Sequence, residues 1–180
     1  MRCFTNVQHD RKVRDCHVAN APRNDYVEMA VVYLGIGTNL PSRKKNIAAA
    51  LRLLKRRKIR INQVSSFFKT KPEEGVKGSY FLNGVAEIET ELKPKTLLMV
   101  LKEIEGNLGR ERNHKREEPR TIDLDIIFYG SLILDEPGFI IPHPRFRKRR
   151  FVLEPLNEIA PSFKDPVTGK KIKTLLKEIL

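Results

Sequence analysis

The sequence predicts an α+β fold of the ferredoxin-like class, a βαββαβ sandwich in which two helices pack on an antiparallel sheet. Apolar segments with strand and helical periodicity alternate in that order from residue 30 onward. The last strand is apolar at every second position, as expected for a strand that lies under helices. The 180 residues, 40% of them hydrophobic, suffice for one domain with a core.

Apolar spacing and helix-start residues define the first half of the domain. Residues 31–36 are a short apolar strand, and Pro41 with Ser42 begins a helix whose apolar positions recur at helical spacing. The basic run that ends this helix suits its dipole. Residues 59–69, rich in β-branched and aromatic types, are predicted as one strand. Residues 70–79 are predicted as a polar loop because they contain proline and glycine.

The second half repeats this order and adds a C-terminal extension. Residues 80–90 alternate as a strand, and Pro94 begins a helix that ends near two glycines. A basic loop over 110–121 leads into the last strand of the sheet, 122–129. The extension is predicted to contain short strands at 131–134 and 139–141 and helices at 150–159 and 171–179.

The chain divides near residue 29. We expect residues 1–28 to be an extension, either disordered or arising from an upstream start codon, and residues 29–180 to be a single domain. Both cysteines, Cys3 and Cys16, fall in the extension, which excludes a disulfide scaffold for the main body and favours a cytoplasmic location. No apolar run approaches the roughly 18 residues of a membrane span.

The chain is strongly basic. Thirty-five Lys and Arg residues against 22 Asp and Glu give a net charge of +13. This balance raises the local concentration of anions, and it fits a nucleic acid, nucleotide phosphates or no specific partner.

Two aspartates on the last strand of the sheet form the first candidate site. Side chains alternate along a strand, so Asp123 and Asp125 share one face, with Cβ atoms about 7 Å apart. Such carboxylates repel each other unless a cation lies between them, and Mg²⁺ suits these oxygen ligands. The alternative is a solvated strand face. The opposite, apolar face is predicted to lie against the two helices and carries Ile122, Leu124, Ile126 and Phe128.

Basic residues cluster on both sides of this strand. Arg110, Arg112 and Arg120 precede it, and His143 and Arg149 follow it. Carboxylates surrounded by guanidinium groups suit nucleoside triphosphate chemistry, where Mg²⁺ bridges phosphates and arginines stabilise the transferring charge. The alternative is that these arginines only keep a basic protein in solution.

The segment PRTIDLDI at 119–126 resembles the signature of the 6-hydroxymethyl-7,8-dihydropterin pyrophosphokinases, a family of folate biosynthesis. Further blocks agree in order and spacing, so the resemblance covers about residues 29–179. These blocks are GIGTNL at 35–40, VSSFFKTKP at 64–72, FLN at 81–83, Glu105 with GRER at 109–112, and PHP at 142–144 with RRFVLEPL at 149–156.

The resemblance implies the ferredoxin-like fold and an ATP-dependent diphosphokinase. Such a transferase moves pyrophosphate from ATP, the co-substrate, to 6-hydroxymethyl-7,8-dihydropterin and releases AMP. It implies two Mg²⁺ ions held by Asp123 and Asp125. We expect a cytoplasmic monomer whose partners are ATP and the pterin, with no membrane and no specific nucleic acid.

The resemblance also implies roles for individual residues. The catalytic residues are Arg110, Arg112, Arg120, Asp123 and Asp125. The ATP-binding residues are Glu105, Arg112, Arg120, Leu124, Ile126, His143 and Arg149, with Leu124 and Ile126 offering backbone groups to the adenine. The pterin-binding residues are Thr70, Phe81, Asn83, Asp123 and Phe151, with Asn83 hydrogen-bonded to the ring and the two phenylalanines on either side of it.

Three positions depart from the family pattern. Glu118 stands where a small residue is usual, Glu117 where an aromatic or basic residue is common, and Gly138 where the family has an arginine. These departures bear on loop closure and on phosphate binding. Four other basic residues are hypothesised to compensate, namely Lys115, Arg116, Arg145 and Arg147.

Two other functions compete with this one. A basic nucleic-acid-binding module is disfavoured because Asp123 and Asp125 would repel phosphates and no K/R-G-F-G-F run is present. A pseudoenzyme that binds ligand without turnover is disfavoured by the retention of the carboxylate pair, Arg120 and Asn83. The GIG of residues 35–37 lacks the third glycine of a dinucleotide fold and is expected to allow a tight turn and a close approach of the backbone.

Overall fold

A computed structural model describes residues 29–72, 79–109 and 118–179, and it confirms the ferredoxin-like class. Strands β2, β4, β1 and β5 lie side by side in that order, and every neighbouring pair is antiparallel. The short strand β3 also pairs with β4. The strand bounds are β1 Ala30–Thr38, β2 Arg60–Val64, β3 Phe68–Thr70, β4 Phe81–Thr90 and β5 Asp123–Tyr129. The expectation for residues 1–28 lies outside the described residues.

Helices cover both faces of this sheet. Helices α1 (Arg43–Arg56) and α2 (Pro94–Asn107) pack on one face, as predicted. Helices α3 (Arg150–Ile159) and α4 (Ile172–Glu178) pack on the other. Within the described ranges, no helix has the length and apolar character to cross a membrane.

Two hydrophobic clusters correspond to these two layers. The cluster under α1 and α2 combines residues such as Leu34, Leu101 and Leu124, each of which has no exposed surface. The cluster under α3 and α4 is centred on Phe128, which packs against Phe146 at a ring-centroid distance of 4.8 Å. Both faces of the sheet therefore contribute burial, the largest favourable term in folding.

The expectation that Phe128 faces α1 and α2 is wrong. The pairing of β5 with β1 shifts between Tyr33 and Leu34, which leaves Ile127 as an extra residue in β5. Two residues then oppose one, as in a β-bulge, and the alternation of faces is reset. Ile127 and Phe128 consequently both lie in the cluster under α3 and α4.

Three element bounds also differ from prediction. The single strand predicted over 59–69 is divided into β2 and β3, because Ser65 bonds Val85 through both its backbone N–H and its hydroxyl. Ser42 has a left-handed φ of 64°, so α1 begins one residue later, at Arg43. The C-terminal hairpin consists of β6 (Leu134–Glu136) and β7 (Phe139–Ile141), so the strand predicted at 131–134 begins later than expected, after a turn at residues 130–131.

Candidate active site

A cavity of about 320 Å³ opens on the sheet beside α3, a volume within the range of small-molecule sites. Strands β1, β4 and β5 form its floor, and the segment 143–152 contributes one wall. Nine of the residues to which the resemblance assigns catalytic or binding roles line it, namely Thr70, Phe81, Asn83, Arg120, Asp123, Asp125, His143, Arg149 and Phe151.

Glycine in β1 lets polar side chains from three strands share the floor of this cavity. Gly37 pairs with Asn83 of β4 on one side and with Asp123 of β5 on the other. A Cβ atom at position 37 would lie 2.8 Å from the Asn83 Oδ1, closer than side-chain carbons normally approach. Gly35 pairs with Asp125 in the next row. The tight turn predicted at residues 35–37 is wrong, because these residues lie within β1. The predicted close approach to the backbone is found at Gly37, where the Asn83 Oδ1 occupies the space that a side chain would fill.

Asn83 has a fixed orientation. Its Nδ2 donates a hydrogen bond of 2.7 Å to the Thr70 Oγ1, which lies on the neighbouring strand β3. With Nδ2 directed to Thr70 and Oδ1 over Gly37, Asn83 presents its carbonyl oxygen as an acceptor to the cavity. The aromatic ring of Phe81 lines the same region.

Arg120 and Asp123 form an ion pair at the start of β5. The Arg120 Nη1 lies 2.9 Å from the Asp123 Oδ2, and both side chains are largely buried. The backbone of Arg120 is itself held in place, since its N–H donates to the Asn39 Oδ1 at 2.7 Å and its carbonyl accepts from the Asn39 N–H at 3.3 Å. The arginine is thus positioned by the end of β1 as well as by its carboxylate partner.

The electrostatics of Asp125 fit a cation site. Burial raises the pKa of Asp125, and the neighbouring Asp123 raises it further. Lys102, His143 and Arg149 act in the opposite direction. Two carboxylates that disfavour each other's charge are the donor set that a hard divalent cation stabilises. Within the described residues, no group of three or more His, Cys, Asp and Glu side chains forms a metal cluster.

His143 is held at the sheet edge by its own backbone. Its N–H donates to the Ile127 carbonyl oxygen at 3.0 Å, and its Nδ1 accepts from the Arg145 N–H at 3.2 Å. In a neutral ring with Nδ1 as acceptor, Nε2 carries the proton and is the donor available to a ligand. Burial lowers the pKa of His143, which favours the neutral ring, while Asp125 opposes this shift.

Three of the residues assigned to ATP do not line the cavity. Glu105 is 2% exposed at the β5 edge of the sheet, where it accepts the Leu124 N–H at 2.7 Å and contacts the Lys102 ammonium at 3.0 Å. The side chains of Leu124 and Ile126 belong to the cluster under α1 and α2. Arg110 and Arg112, together with Lys115, Arg116 and Glu117, lie outside the described residues.

Sequence reasoning missed two cations of the cavity, Lys71 and Lys102, and misjudged Arg147. Lys102 lines the cavity from α2, and the signal that could have found it is its place one helical turn before Glu105. Arg145 lines the cavity, as the compensation hypothesis requires. Arg147 does not line it, because its guanidinium group is bound to Asp165.

Comparisons with known proteins identify relatives of this chain. The family model described as 7,8-dihydro-6-hydroxymethylpterin-pyrophosphokinase matches residues 33–161. A "2-amino-4-hydroxy-6-hydroxymethyldihydropteridine pyrophosphokinase" of Pseudomonas aeruginosa is 38% identical over 146 residues, covering 81% of this chain and 89% of that protein.

Several relatives are much longer than this chain. The "Folic acid synthesis protein fol1" of Pneumocystis carinii is 36% identical over 169 residues, which are 93% of this chain and 23% of that protein. The "Folate synthesis bifunctional protein" of Arabidopsis thaliana is 41% identical over 128 residues, which are 71% of this chain and 26% of that protein. The chain thus spans about a quarter of the length of these relatives.

The fold has solved counterparts. A crystal structure of wild-type HPPK-DHPS from Plasmodium falciparum with SDX-DHP superposes with a TM-score of 0.67 at 16% identity, covering 84% of this chain and 44% of that one. The sequence match over most of the domain, the shared fold and the ordered motifs lead to one conclusion: the chain belongs to the 7,8-dihydro-6-hydroxymethylpterin-pyrophosphokinase family.

Proposed function

We propose that this chain transfers pyrophosphate from ATP to 6-hydroxymethyl-7,8-dihydropterin, giving the pterin diphosphate and AMP. The observation that carries the proposal is the row of Asp123, Gly37 and Asn83 across three strands. This row places a carboxylate and an amide acceptor in one cavity, with an arginine bound to the carboxylate. The printed name of the Pseudomonas aeruginosa relative supports this activity.

The end of the cavity near Asn83 fits the pterin. A pterin is a flat aromatic ring with donors and acceptors along its edges, so it needs both stacking and directed hydrogen bonds. The Asn83 Oδ1 is turned to accept from the ring, while Thr70 holds the amide in place. Phe81 and Phe151 both line the cavity and supply aromatic faces.

The end near the aspartates fits the triphosphate. Asp123 and Asp125 would hold Mg²⁺, and we expect two ions, which neutralise and bridge phosphate oxygens when bound. Arg120, Arg149 and the His143 Nε2 surround this point and donate to phosphate oxygens. Arg110 and Arg112 are proposed as further phosphate contacts on the basis of the motif alone.

The adenine is proposed to lie along the outer edge of β5. Strand β5 ends the sheet order, and its Leu124 N–H points outward to Glu105. Because the Leu124 N–H is already donated to Glu105, the candidates for adenine contacts are the Leu124 carbonyl and the backbone groups of Ile126. Glu105 then supports the nucleotide indirectly, because it fixes both this edge and the Lys102 ammonium group.

The reaction needs alignment and charge stabilisation more than a strong base. The pterin hydroxymethyl oxygen forms a bond to the β-phosphorus of ATP and gives up its proton to solvent. The bond from that phosphorus to the α,β-bridging oxygen breaks, and AMP leaves with this oxygen. The Asn83 side of the cavity orients the nucleophile, and the arginines stabilise charge that develops on the transferring group.

The remaining expectations are proposed with the same activity. Residues 29–180 are the pyrophosphokinase domain, and residues 1–28 are an extension outside it. The enzyme is a cytoplasmic monomer that binds no specific nucleic acid. Compensation for Glu117, Glu118 and Gly138 is proposed to come from Lys115, Arg116 and Arg145.

Product analysis tests the proposed function directly. The full chain is incubated with ATP, Mg²⁺ and 6-hydroxymethyl-7,8-dihydropterin, and AMP and ADP are separated by chromatography. We expect pterin-dependent AMP from the wild type and from Asp135→Ala, a control at an exposed aspartate on β6. We expect none from Asp125→Ala. Formation of ADP, or AMP formation that survives Asp125→Ala, would contradict the proposal.

A further inference from the structure

An ion pair outside the cavity holds the basic segment that follows His143. The Nε and Nη2 of Arg147 donate to the two carboxylate oxygens of Asp165, each at 2.8 Å. Asp165 has no exposed surface and lies in the connection between α3 and α4. Its carboxylate also accepts from the Thr168 hydroxyl at 2.5 Å and from the Val167 N–H at 3.2 Å.

The segment held in this way is a single 3₁₀ turn, Phe146–Lys148, between two residues of the cavity wall. Arg145 and Arg149 flank the turn and line the cavity, whereas Arg147 points to the α3–α4 connection. Two neighbouring side chains anchor the turn. Phe146 is fully buried in the cluster under α3 and α4, and Arg147 packs over the Phe146 ring at 4.7 Å while it binds Asp165.

We propose that the Arg147–Asp165 pair positions the nucleotide-binding arginines. By fixing the 3₁₀ turn, it directs the guanidinium groups of Arg145 and Arg149 toward the polyphosphate. Arg147 is therefore a positioning residue and not a phosphate contact, which replaces the hypothesis that it compensates for Gly138 directly. This inference rests on the proposed function, since it requires that the cavity bind a nucleotide.

The chemistry of the pair suits a positioning role. An arginine fork on a carboxylate fixes two hydrogen bonds in one plane, so it defines orientation as well as distance. The two remaining contacts of Asp165 come from its own loop, which makes the carboxylate a rigid anchor. Without this anchor the turn would sample several positions. Binding would then have to order it, and the entropy lost in doing so would lower the affinity for the nucleotide.

Binding measurements separate this role from catalysis. Calorimetry with a non-hydrolysable ATP analogue and Mg²⁺ is carried out on the full chain, and pterin binding is measured in parallel. We expect Asp165→Asn and Arg147→Met each to weaken nucleotide binding about tenfold, with pterin affinity unchanged within about twofold. Arg147→Lys keeps a positive charge beside Asp165 but loses the paired hydrogen bonds of the guanidinium group. We therefore expect it to retain more of the nucleotide affinity than Arg147→Met does.

A second background tests whether the pair acts through Arg149. If positioning is the mechanism, Asp165→Asn should weaken nucleotide binding less than about twofold once Arg149→Ala is already present, because coupled residues are not additive. Leu175→Ala, in the same layer of α4, is the control for a general loss of stability. We expect it to lower the melting temperature without a selective loss of nucleotide affinity.

The outcomes distinguish this inference from the proposed function. A wild-type chain that binds no nucleotide would overturn both. A wild-type chain that binds, with Asp165→Asn unchanged, would overturn the positioning role alone. The positioning role would also be overturned if Leu175→Ala reproduced the selective loss of nucleotide affinity, or if Asp165→Asn kept its full effect in the Arg149→Ala background. Should Asp165→Asn fail to fold, Arg147→Met and Arg147→Lys are judged by the same criteria.

Discussion

The two faces of the sheet are built from the same strands but are used differently. The face under α1 and α2 is continuous and apolar, and residues such as Leu34 and Leu124 on it have no exposed surface. The opposite face is divided. One part of it is the aromatic cluster around Phe128, and the other part is the cavity floor with Gly37 and Asp123. Residues that alternate along one strand thus contribute to the apolar core on one face and to the cavity on the other.

The cavity floor has a cost that the apolar face does not have. Asp123 and Asp125 raise each other's energy when both are charged, and β1 has glycine where a strand would normally carry a packing side chain. Such a surface is stable only because the opposite face and the aromatic cluster bury enough apolar area. Substitutions on the cavity floor should therefore mainly lower activity, whereas substitutions on the apolar face should mainly lower stability.

Neighbouring residues of β5 give the sharpest test of this difference. Asp125→Asn should reduce pterin-dependent AMP formation about a thousandfold, because it removes a charge from the cation site, while thermal stability is kept or slightly raised. Leu124→Ala should lower the free energy of unfolding by about 2–5 kcal/mol, since it creates a cavity in the core. AMP assays and urea unfolding measure the two effects. If Asp125→Asn lost stability like Leu124→Ala, the two faces would not be separable.

The two glycines of β1 refine the comparison within the cavity floor. In Gly37→Ala the new methyl group would meet the Asn83 Oδ1 at 2.8 Å, so we expect the KM for the pterin to rise about tenfold. Gly35→Ala is the matched control, because its methyl group would meet Ile127 at 3.5 Å, an ordinary contact distance. Steady-state kinetics with varied pterin distinguishes them. Equal effects of both variants would show that glycine in β1 serves flexibility rather than space.

The sequence predicts the pairing of functional groups on β5 because alternation along a strand is a local rule. Asp123 and Asp125 lie two residues apart, and no bulge interrupts β5 between them, so both reach the cavity as expected. The same rule fails for Phe128, which follows the register shift. A bulge depends on how β5 meets β1, and that pairing is set by residues some 90 positions earlier in the chain.

Local sequence rules also do not predict contacts between segments that are distant in the chain. Glu105 is recognisable from its motif, but only the structure shows that it accepts the Leu124 N–H at the edge of the sheet. The Asp165 carboxylate meets Arg147 across the whole of α3. Neither spacing nor residue type indicates which of the many basic residues of this chain finds a buried acidic partner.

Glu105 sharpens the comparison from the buried side. Glu105→Gln should lower the free energy of unfolding by about 1–2 kcal/mol, because a charged acceptor of the Leu124 N–H is replaced by a neutral one in a buried position. Glu103→Gln is the control on the same helix, and its exposed pair with Arg57 should contribute less than about 1 kcal/mol. Urea unfolding measures both. Unchanged stability with a raised KM for ATP would instead indicate direct nucleotide contact by Glu105.

The layer of α3 and α4 allows a smaller test, based on pH. The hydrogen bonds from Arg147 and Thr168 hold the pKa of Asp165 below its ordinary value, although burial opposes this. A depressed pKa means that the ionised carboxylate stabilises the folded state at neutral pH, and that this contribution is lost as the pH falls through the folded-state value. Asp165→Asn should therefore be less stable than the wild type by about 1–2 kcal/mol at neutral pH, with the gap narrowing as the pH falls below about 4, the ordinary pKa of an aspartate. Urea unfolding over this range, with the exposed Asp135→Asn as control, measures the gap, and a gap independent of pH would show that Asp165 is not the titrating group.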